Sequence, residues 1–157
     1  MNTMKKIILI LCISLVLGAA AAWADDGWEM SLTIGSGMAE NRLSFGQRPD
    51  ATSGRDGRYD VPPMPGGTLN SMFTNGGGSF WRDIRDIRSG ETVWQLTVAS
   101  TSPDAMALLK WNPKAIPAGV SMALRDAQSG ISVDMAETNQ LAMKLNGNQV
   151  LEIVVTR

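Results

Sequence analysis

Apolar and polar residues alternate in short runs along the C-terminal half of the chain. Turn residues close each run, and the apolar members are Trp94, Leu96 and Val98; Val120, Met122 and Leu124; Ile131, Val133 and Met135; Leu141, Met143 and Leu145; and Leu151, Ile153 and Val155. A period of two residues is typical of antiparallel strands that bury one face. Together with MALLKWN at 106–112, these runs predict about six strands.

Two further strands are predicted near the N-terminus, WEMSLTIG at 28–35 and NRLSFGQ at 41–47. About eight short strands with short turns indicate an all-β domain, a two-sheet antiparallel β-sandwich. Both the immunoglobulin-like and the jelly-roll topology fit this pattern. We expect a single domain over residues 25–157.

The alternation stops between residues 48 and 80, where VPPMPGG and TNGGGSF concentrate proline and glycine. These residues predict a long irregular crossover. The next segment, FWRDIRDIRSG, is ambiguous. Its apolar residues Phe80, Ile84 and Ile87 have the spacing of a short helix over 80–88, although a strand would also suit a sandwich.

The first 24 residues have the pattern of a signal peptide. Lys5 and Lys6 precede an apolar run, and Ala22-Trp23-Ala24 forms a cleavage site of the A-x-A type. We therefore predict export through the Sec pathway to the periplasm, the cell surface or the medium, with no membrane span in the mature form. The apolar run is shorter than the roughly 20 residues that a spanning helix needs.

Composition excludes several kinds of chemistry. The chain has no histidine, and its one cysteine, Cys12, lies in the predicted signal peptide. The mature protein would therefore lack a disulfide, the C-x-x-C-H anchor of a c-type haem, the usual zinc and copper ligands, and a histidine base for a hydrolase. The net charge of −1 gives no reason to expect a nucleic-acid partner.

The segment RPDATSGRDGRYD, residues 48–60, is the candidate metal site. Calcium binds six to eight oxygen atoms, and this segment offers Asp50, Ser53, Asp56 and Asp60 between permissive glycines. The spacing is not that of an EF-hand. Three interleaved arginines favour the alternative of a polar turn held by ion pairs and Asx hydrogen bonds.

Trp81 and Trp28 are the candidate ligand-binding residues, because exposed tryptophans stack on sugars or anchor protein partners. Trp81 follows three glycines beside the crossover, so it is the tryptophan most expected to be exposed. Trp94 alternates with Leu96 and Val98, which predicts a core position.

A family resemblance is carried by LSFGQRPDATSGRDGRYDVPPMPGG, by the strand ETVWQLTVAS, and by LLKWNPKAIPAGVSMALRDAQSGISVDM with the closing LEIVVTR. The chain resembles immunoglobulin-like β-sandwich modules near the C-termini of secreted and cell-surface bacterial proteins, those of the flagellar hook-capping type and those that accompany sorting signals. The resemblance implies a noncatalytic structural or adhesive module. Residues 46–60 match the aspartate and glycine stretch of such modules.

These observations predict an exported, noncatalytic structural or protein-interaction β-sandwich with a protein partner or a cell-surface assembly, in which Ca²⁺ stiffens the 48–60 loop if it binds there. The crossover is the expected contact region, because loops on a rigid sandwich carry most of its function. The alternative is a carbohydrate or small-ligand module that uses Trp81 and Trp28. A third class, a glycosidase-like hydrolase, would need two carboxylates facing each other across a cleft.

Overall fold

The structure is a computed structural model that describes residues 27–64, 66–126 and 128–157. The predicted signal peptide lies outside these residues. The described strands are β1 (Trp28–Ser36), β2 (Ala39–Arg48), β3 (Leu69–Asn75), β4 (Gly78–Phe80), β5 (Arg82–Asp86), β6 (Glu91–Ser100), β7 (Met106–Trp111), β8 (Ser121–Arg125), β9 (Ser132–Asp134), β10 (Gln140–Lys144) and β11 (Asn148–Thr156). A 3-10 turn, Pro113–Ala115, follows β7. Within the described ranges, no helix has the length and apolar character to cross a membrane.

The strands form two sheets with a shared core, which confirms the predicted β-sandwich. One sheet has the order β10-β7-β1-β2-β5 and the other has the order β4-β3-β6-β11-β8-β9. We call them sheet A and sheet B. Among the described strands, every neighbouring pair is antiparallel except β2 and β5, which form a parallel pair. The predicted number of about eight strands is too low, since eleven strands are described, and one pair among them is parallel.

The core consists of the inward residues of alternating strands. Its centre is an aromatic cluster of Trp28, Phe45, Phe73 and Trp94, whose neighbouring ring centroids lie 5.4 to 6.0 Å apart. Edge-on and tilted rings at this separation attract each other beyond their burial from water. Trp94 is fully buried, as its alternation with Leu96 and Val98 predicts.

The crossover is shorter than predicted. Among the described residues of this segment, irregular backbone covers 49–64 and 66–68, because β3 and β4 form a hairpin in which Phe73 lies opposite Phe80. Leu69 and Phe73 bury their side chains in the core. Gly76 and Gly77 form the two-residue turn, and Gly78 follows it with a positive φ of 139°. The glycines therefore mark a hairpin turn within an ordered element.

The segment after this hairpin is a strand, so the helix considered for residues 80–88 is wrong. Gly46 and Ile84 are partners in the parallel ladder between β2 and β5. Asp83 and Ile84 are both buried although they are adjacent, since one faces each side of a covered strand. Backbone pairing with β2, which is distant in sequence, determines that this segment is a strand, and the apolar spacing within residues 80–88 does not predict that pairing.

Candidate functional site

The predicted metal ligands lie on a loop, residues 49–61, which we call the acidic loop. The Asp50 carboxylate accepts hydrogen bonds from Arg58 Nη1 at 2.6 Å and from the Tyr59 hydroxyl at 2.7 Å. The Asp56 carboxylate accepts the backbone N–H of Arg58 at 3.0 Å, which is an Asx turn. Both carboxylates therefore stabilise the loop itself.

Asp60 joins the acidic loop to sheet A. Its Oδ1 accepts the backbone N–H of Ile84 at 3.0 Å, and its Oδ2 accepts the backbone N–H of Asp56 at 2.6 Å. The pKa of Asp60 is raised, mainly by partial burial and also by the nearby charges of Asp83 and Asp56, although the two hydrogen bonds oppose this rise. By contrast, the hydrogen bond from Tyr59 holds the pKa of Asp50 below its ordinary value. The two carboxylates thus occupy different environments, since Asp50 lies in solvent and Asp60 lies against β5.

The four predicted calcium ligands are distributed along the loop and are not gathered around one point. Ser53 is exposed, Asp50 faces Arg58, and Asp60 faces β5. In residues 27–64, 66–126 and 128–157, no group of three or more acidic, histidine or cysteine side chains is placed to hold a metal ion. The observed contacts are those of the polar turn. Calcium binding stays a prediction that a titration has to test.

A backbone bridge and an arginine hold the end of the acidic loop against β5. Val61 donates its N–H to the Arg82 carbonyl at 3.0 Å and accepts the Trp81 N–H at 2.7 Å. The Arg82 guanidinium donates to the Tyr59 carbonyl at 2.7 Å and makes two parallel bonds, at 2.8 and 2.7 Å, to the Glu29 carboxylate. Such a bidentate pair fixes geometry as well as charge. The loop therefore covers the outer edge of β5 and is itself held rigidly.

Trp81 is half-buried where the acidic loop, β2 and β3 meet. Its indole N–H donates to the Ser71 carbonyl at 3.1 Å. The ring forms one wall of a recess of about 200 Å³ that we call the Trp81 groove, lined by Asn41, Pro63, Met64, Leu69, Met72 and Trp81 among others. Met64 is 70% exposed at its rim. The structure thus places Trp81, which sequence predicts, beside apolar crossover residues that sequence does not single out.

Trp28, the second predicted ligand-binding residue, lies in the core and presents no exposed ring face, and ligand binding by Trp28 stays a prediction. It is only 8% exposed, and its ring packs edge-on against Phe45 and Trp94. The indole N–H donates to Gln47 Oε1 at 3.1 Å within the core. Trp28 is buried because it lies on the inward face of β1, which it shares with Met30.

Strand β5 carries a buried ion pair that the sequence pattern does not predict. Asp83 is fully buried, and its carboxylate accepts Arg85 Nη2 at 2.8 Å and Asn75 Nδ2 at 3.3 Å. Arg85 also donates to the Val93 carbonyl at 2.6 Å and lies 4.9 Å above the Trp94 ring. These contacts attach β5 to β3 and β6 of sheet B. The alternating charges of RDIRDIR indicate a solvated surface, and no local pattern marks Asp83.

A second buried carboxylate, Asp126, lies at the far side of the sandwich. It is 5% exposed and accepts the Gln128 N–H at 2.9 Å, the Ser129 hydroxyl at 2.5 Å and Gln149 Nε2 at 3.0 Å. Burial raises the pKa of Asp126, but these donors outweigh it and leave the pKa below the ordinary value of 3.8. The carboxylate is therefore ionised at neutral pH.

Comparisons with protein-family models, with curated proteins and with solved structures gave no match to this chain. The resemblance to immunoglobulin-like modules, and the adhesive role that it implies, therefore stay predictions. What the chain does has to be inferred from the described residues and their contacts.

Proposed function

We propose that this chain is an exported, noncatalytic β-sandwich that binds another protein through the Trp81 groove and the adjoining Val61. One observation carries the proposal: Met64 and Val61 are 70% and 46% exposed, and backbone bonds hold Val61, three residues before Met64, to Trp81 and Arg82. Exposed apolar side chains beside an aromatic ring are typical of protein interfaces. A loop that is already ordered loses little conformational entropy when a partner binds. Export rests on the predicted signal peptide.

The size and polarity of the Trp81 groove favour a protein side chain over a sugar. Its volume of about 200 Å³ is below the roughly 300 Å³ at which small-molecule pockets begin. The Trp81 N–H is already donated to Ser71, and the Asn41 amide is donated to the Leu69 carbonyl at 3.0 Å. Sugars need free donors and acceptors around an exposed ring face, whereas an apolar anchor from a partner needs mainly a shaped apolar wall.

The distribution of carboxylates supports a noncatalytic role. Among the described residues, Glu40 lines a recess beside Met38 and Met106, Asp126 lines another, and the lining of the Trp81 groove includes no carboxylate. A glycosidase-like hydrolase needs two carboxylates across one cleft, about 5 to 10 Å apart. Each of these three recesses thus contains at most one of the two carboxylates that such an enzyme needs.

Site-specific photocrosslinking in the producing cells tests the proposal. A photoreactive phenylalanine derivative at position 64 is expected to give one discrete adduct with another protein. Position 38 is the matched control, because Met38 is also an exposed methionine but lies at the tip of the β1–β2 hairpin. Adducts of equal yield from both positions, or none from position 64, would contradict binding at the Trp81 groove.

Tryptophan fluorescence tests the carbohydrate alternative on the purified secreted protein. Trp81 is the most exposed of the described tryptophans, so a sugar in its groove would change its emission. Titration with peptidoglycan fragments and with plant oligosaccharides is expected to leave the emission unchanged. A saturable change that Trp81→Phe removes would replace the protein partner with a glycan.

A further inference from the structure

Strand β10 is the open edge of the sandwich. Sheet B ends in β4 and β9, which have three residues each, and the acidic loop covers the β5 edge of sheet A. The remaining edge, β10, has five residues and pairs on one side with β7. Among the described residues, no strand pairs with its other side. Unpaired strand edges are templates for further strands.

The register shows which backbone groups of β10 face the open side. Trp111 donates its N–H to the Asn139 carbonyl at 3.0 Å, and Leu145 donates its N–H to the Ala105 carbonyl at 2.8 Å. Bonded and non-bonded pairs alternate in an antiparallel ladder, so the odd-numbered residues of β10 bond to β7. Ala142, with the first and last residues of β10, therefore directs its N–H and carbonyl to the open side.

A groove with an anionic wall adjoins this edge. The recess of about 410 Å³ between β10 and the turn after β8, which we call the Asp126 groove, is lined by Asp126, Ser129, Ile131, Met143, Lys144 and Gln149 among others. The three donors to Asp126 are a backbone amide, a hydroxyl and a side-chain amide, and none of them carries a charge. The Lys144 ammonium is paired with Asp104 at 2.7 Å.

Buried carboxylates are ordinarily paired with a cation. No ion pair within the described ranges includes Asp126. The groove therefore combines a row of free strand-edge backbone groups with a carboxylate that is hydrogen-bonded but has no counter-charge among the described residues. One extended chain with a basic side chain pairs with both.

We propose that β10 and the Asp126 groove form a strand-addition site for an extended segment of a partner protein that carries a lysine or arginine. The added strand bonds to the free backbone groups of Ala142 and its even-numbered neighbours. Its inward side chains lie over Met143, and its basic residue pairs with Asp126. Main-chain bonds supply affinity in this mode of recognition, and side-chain pockets supply specificity. The site lies at the opposite edge of sheet A from the Trp81 groove, so it is independent of the function proposed above.

A second copy of this chain fits the site less well than a basic segment. If two β10 strands paired with each other, the inward residues of the added strand would be Leu141 and Met143. Both are apolar, so Asp126 would lose water without gaining a counter-charge. Charge complementarity therefore selects a different partner.

Two synthetic peptides test the proposal on the purified secreted protein. Both alternate threonine and valine, and one central valine is replaced by lysine in the first peptide and by glutamine in the second. Fluorescence anisotropy is expected to show that the lysine peptide binds about tenfold more tightly. Asp126→Asn, which keeps the shape of the side chain, is expected to remove this preference.

Ala142→Pro tests the strand edge, because proline removes an N–H that β7 does not use and is tolerated on edge strands. It is expected to abolish binding of both peptides, while Ala142→Val, which keeps the N–H, binds them as the unchanged protein does. Peptides with N-methyl groups on alternate residues give the same test without altering the protein. Equal affinity for the two peptides, full binding by Ala142→Pro, no binding at millimolar peptide, or self-association through β10 without peptide binding would each overturn the proposal.

Discussion

Replacing Asp60 with alanine removes the side chain that joins the acidic loop to sheet A. The variant loses the acceptor of the Ile84 N–H and the acceptor of the Asp56 N–H. Asp56→Ala is the matched control, because it changes the same residue type in the same loop. That variant loses only the exposed hydrogen bond from the Arg58 N–H.

Asp60→Ala and Asp56→Ala are expected to lower the free energy of unfolding by different amounts. A hydrogen bond to a charged acceptor contributes about 1.5 to 3 kcal/mol. Water reaches the partly buried Asp60 site, and burial already opposes its charge, so we expect a net loss of about 2 kcal/mol for both bonds together. Asp56→Ala is expected to cost about 0.5 kcal/mol, as is usual for a surface substitution. At about 4 °C per kcal/mol for a domain of this size, the unfolding midpoints fall by about 8 °C and about 2 °C.

The pH dependence gives this prediction a second, independent readout. The pKa of Asp60 is raised in the folded protein, so the folded state binds a proton more readily than the unfolded state. The resulting stabilisation is fully present below the ordinary pKa of 3.8 and is lost as the pH rises through the folded pKa. Asp60→Ala lacks it, and its deficit is therefore expected to grow as the pH falls from 7 towards about 4.

Urea unfolding at several pH values, together with hydrogen exchange, measures these effects. The slope of free energy against urea is expected to stay constant, since the same core unfolds. The amides of Val61 and Trp81 are expected to exchange faster in Asp60→Ala, because their bridge loses its anchor. Equal midpoints for Asp60→Ala and Asp56→Ala, or a deficit that shrinks on acidification, would refute the role of Asp60 as the anchor.

Three further predictions concern the core, the far edge and the loop. Leu124→Ala, at a fully buried position, is expected to lower the free energy of unfolding by about 3 kcal/mol, whereas Val150→Ala, at a 38% exposed position, should change it by less than about 1 kcal/mol. The lowered pKa of Asp126 contributes stability that is present above 3.8 and is lost as the pH falls through the folded pKa, so Asp126→Asn should flatten the acid limb of the stability curve. Asp50 and Asp60 already accept protein hydrogen bonds. The unfolding midpoint is therefore expected to be the same in calcium as in a chelator. A calcium-dependent rise in the midpoint that Asp56→Asn abolishes would instead support the predicted cation site.

Alternation predicted the strands well where each strand buries one face. Leu96 and Leu151, for example, fall on inward positions and lie opposite each other in the ladder between β6 and β11. The pattern failed where both faces are covered or where an inward position is polar. Ser71 interrupts the apolar face of β3, and Asp83 is buried beside Ile84 in β5. In both places distant pairing fixes the strand, and no short window of sequence contains that information.

The candidate sites were predictable only in part, for a related reason. Trp81 could be singled out because it follows three glycines beside the crossover. The acidic loop could be identified by composition, but whether its carboxylates face a cation, an arginine or a strand depends on where the chain folds back. Asp126 lies in a segment that reads as an ordinary hairpin turn, and only the fold shows that β10 and Gln149 enclose it. Burial and charge pairing of single side chains are tertiary properties, so local patterns do not reveal them.

The two proposed sites lie at opposite edges of sheet A, the Trp81 groove near β5 and the Asp126 groove near β10. The acidic loop closes the β5 edge, and this closure also fixes Val61 beside Trp81, while Met64 follows three residues later in the lining of the Trp81 groove. The β10 edge is left open but short, and the ion pair of Lys144 with Asp104 stands at its end. Short edges with lysine discourage pairing between identical strands. An anionic groove beside such an edge still accepts a basic strand, since charge then favours the partner over a second copy. At both edges of sheet A, the residues that limit nonspecific pairing therefore lie next to the residues that would select a partner.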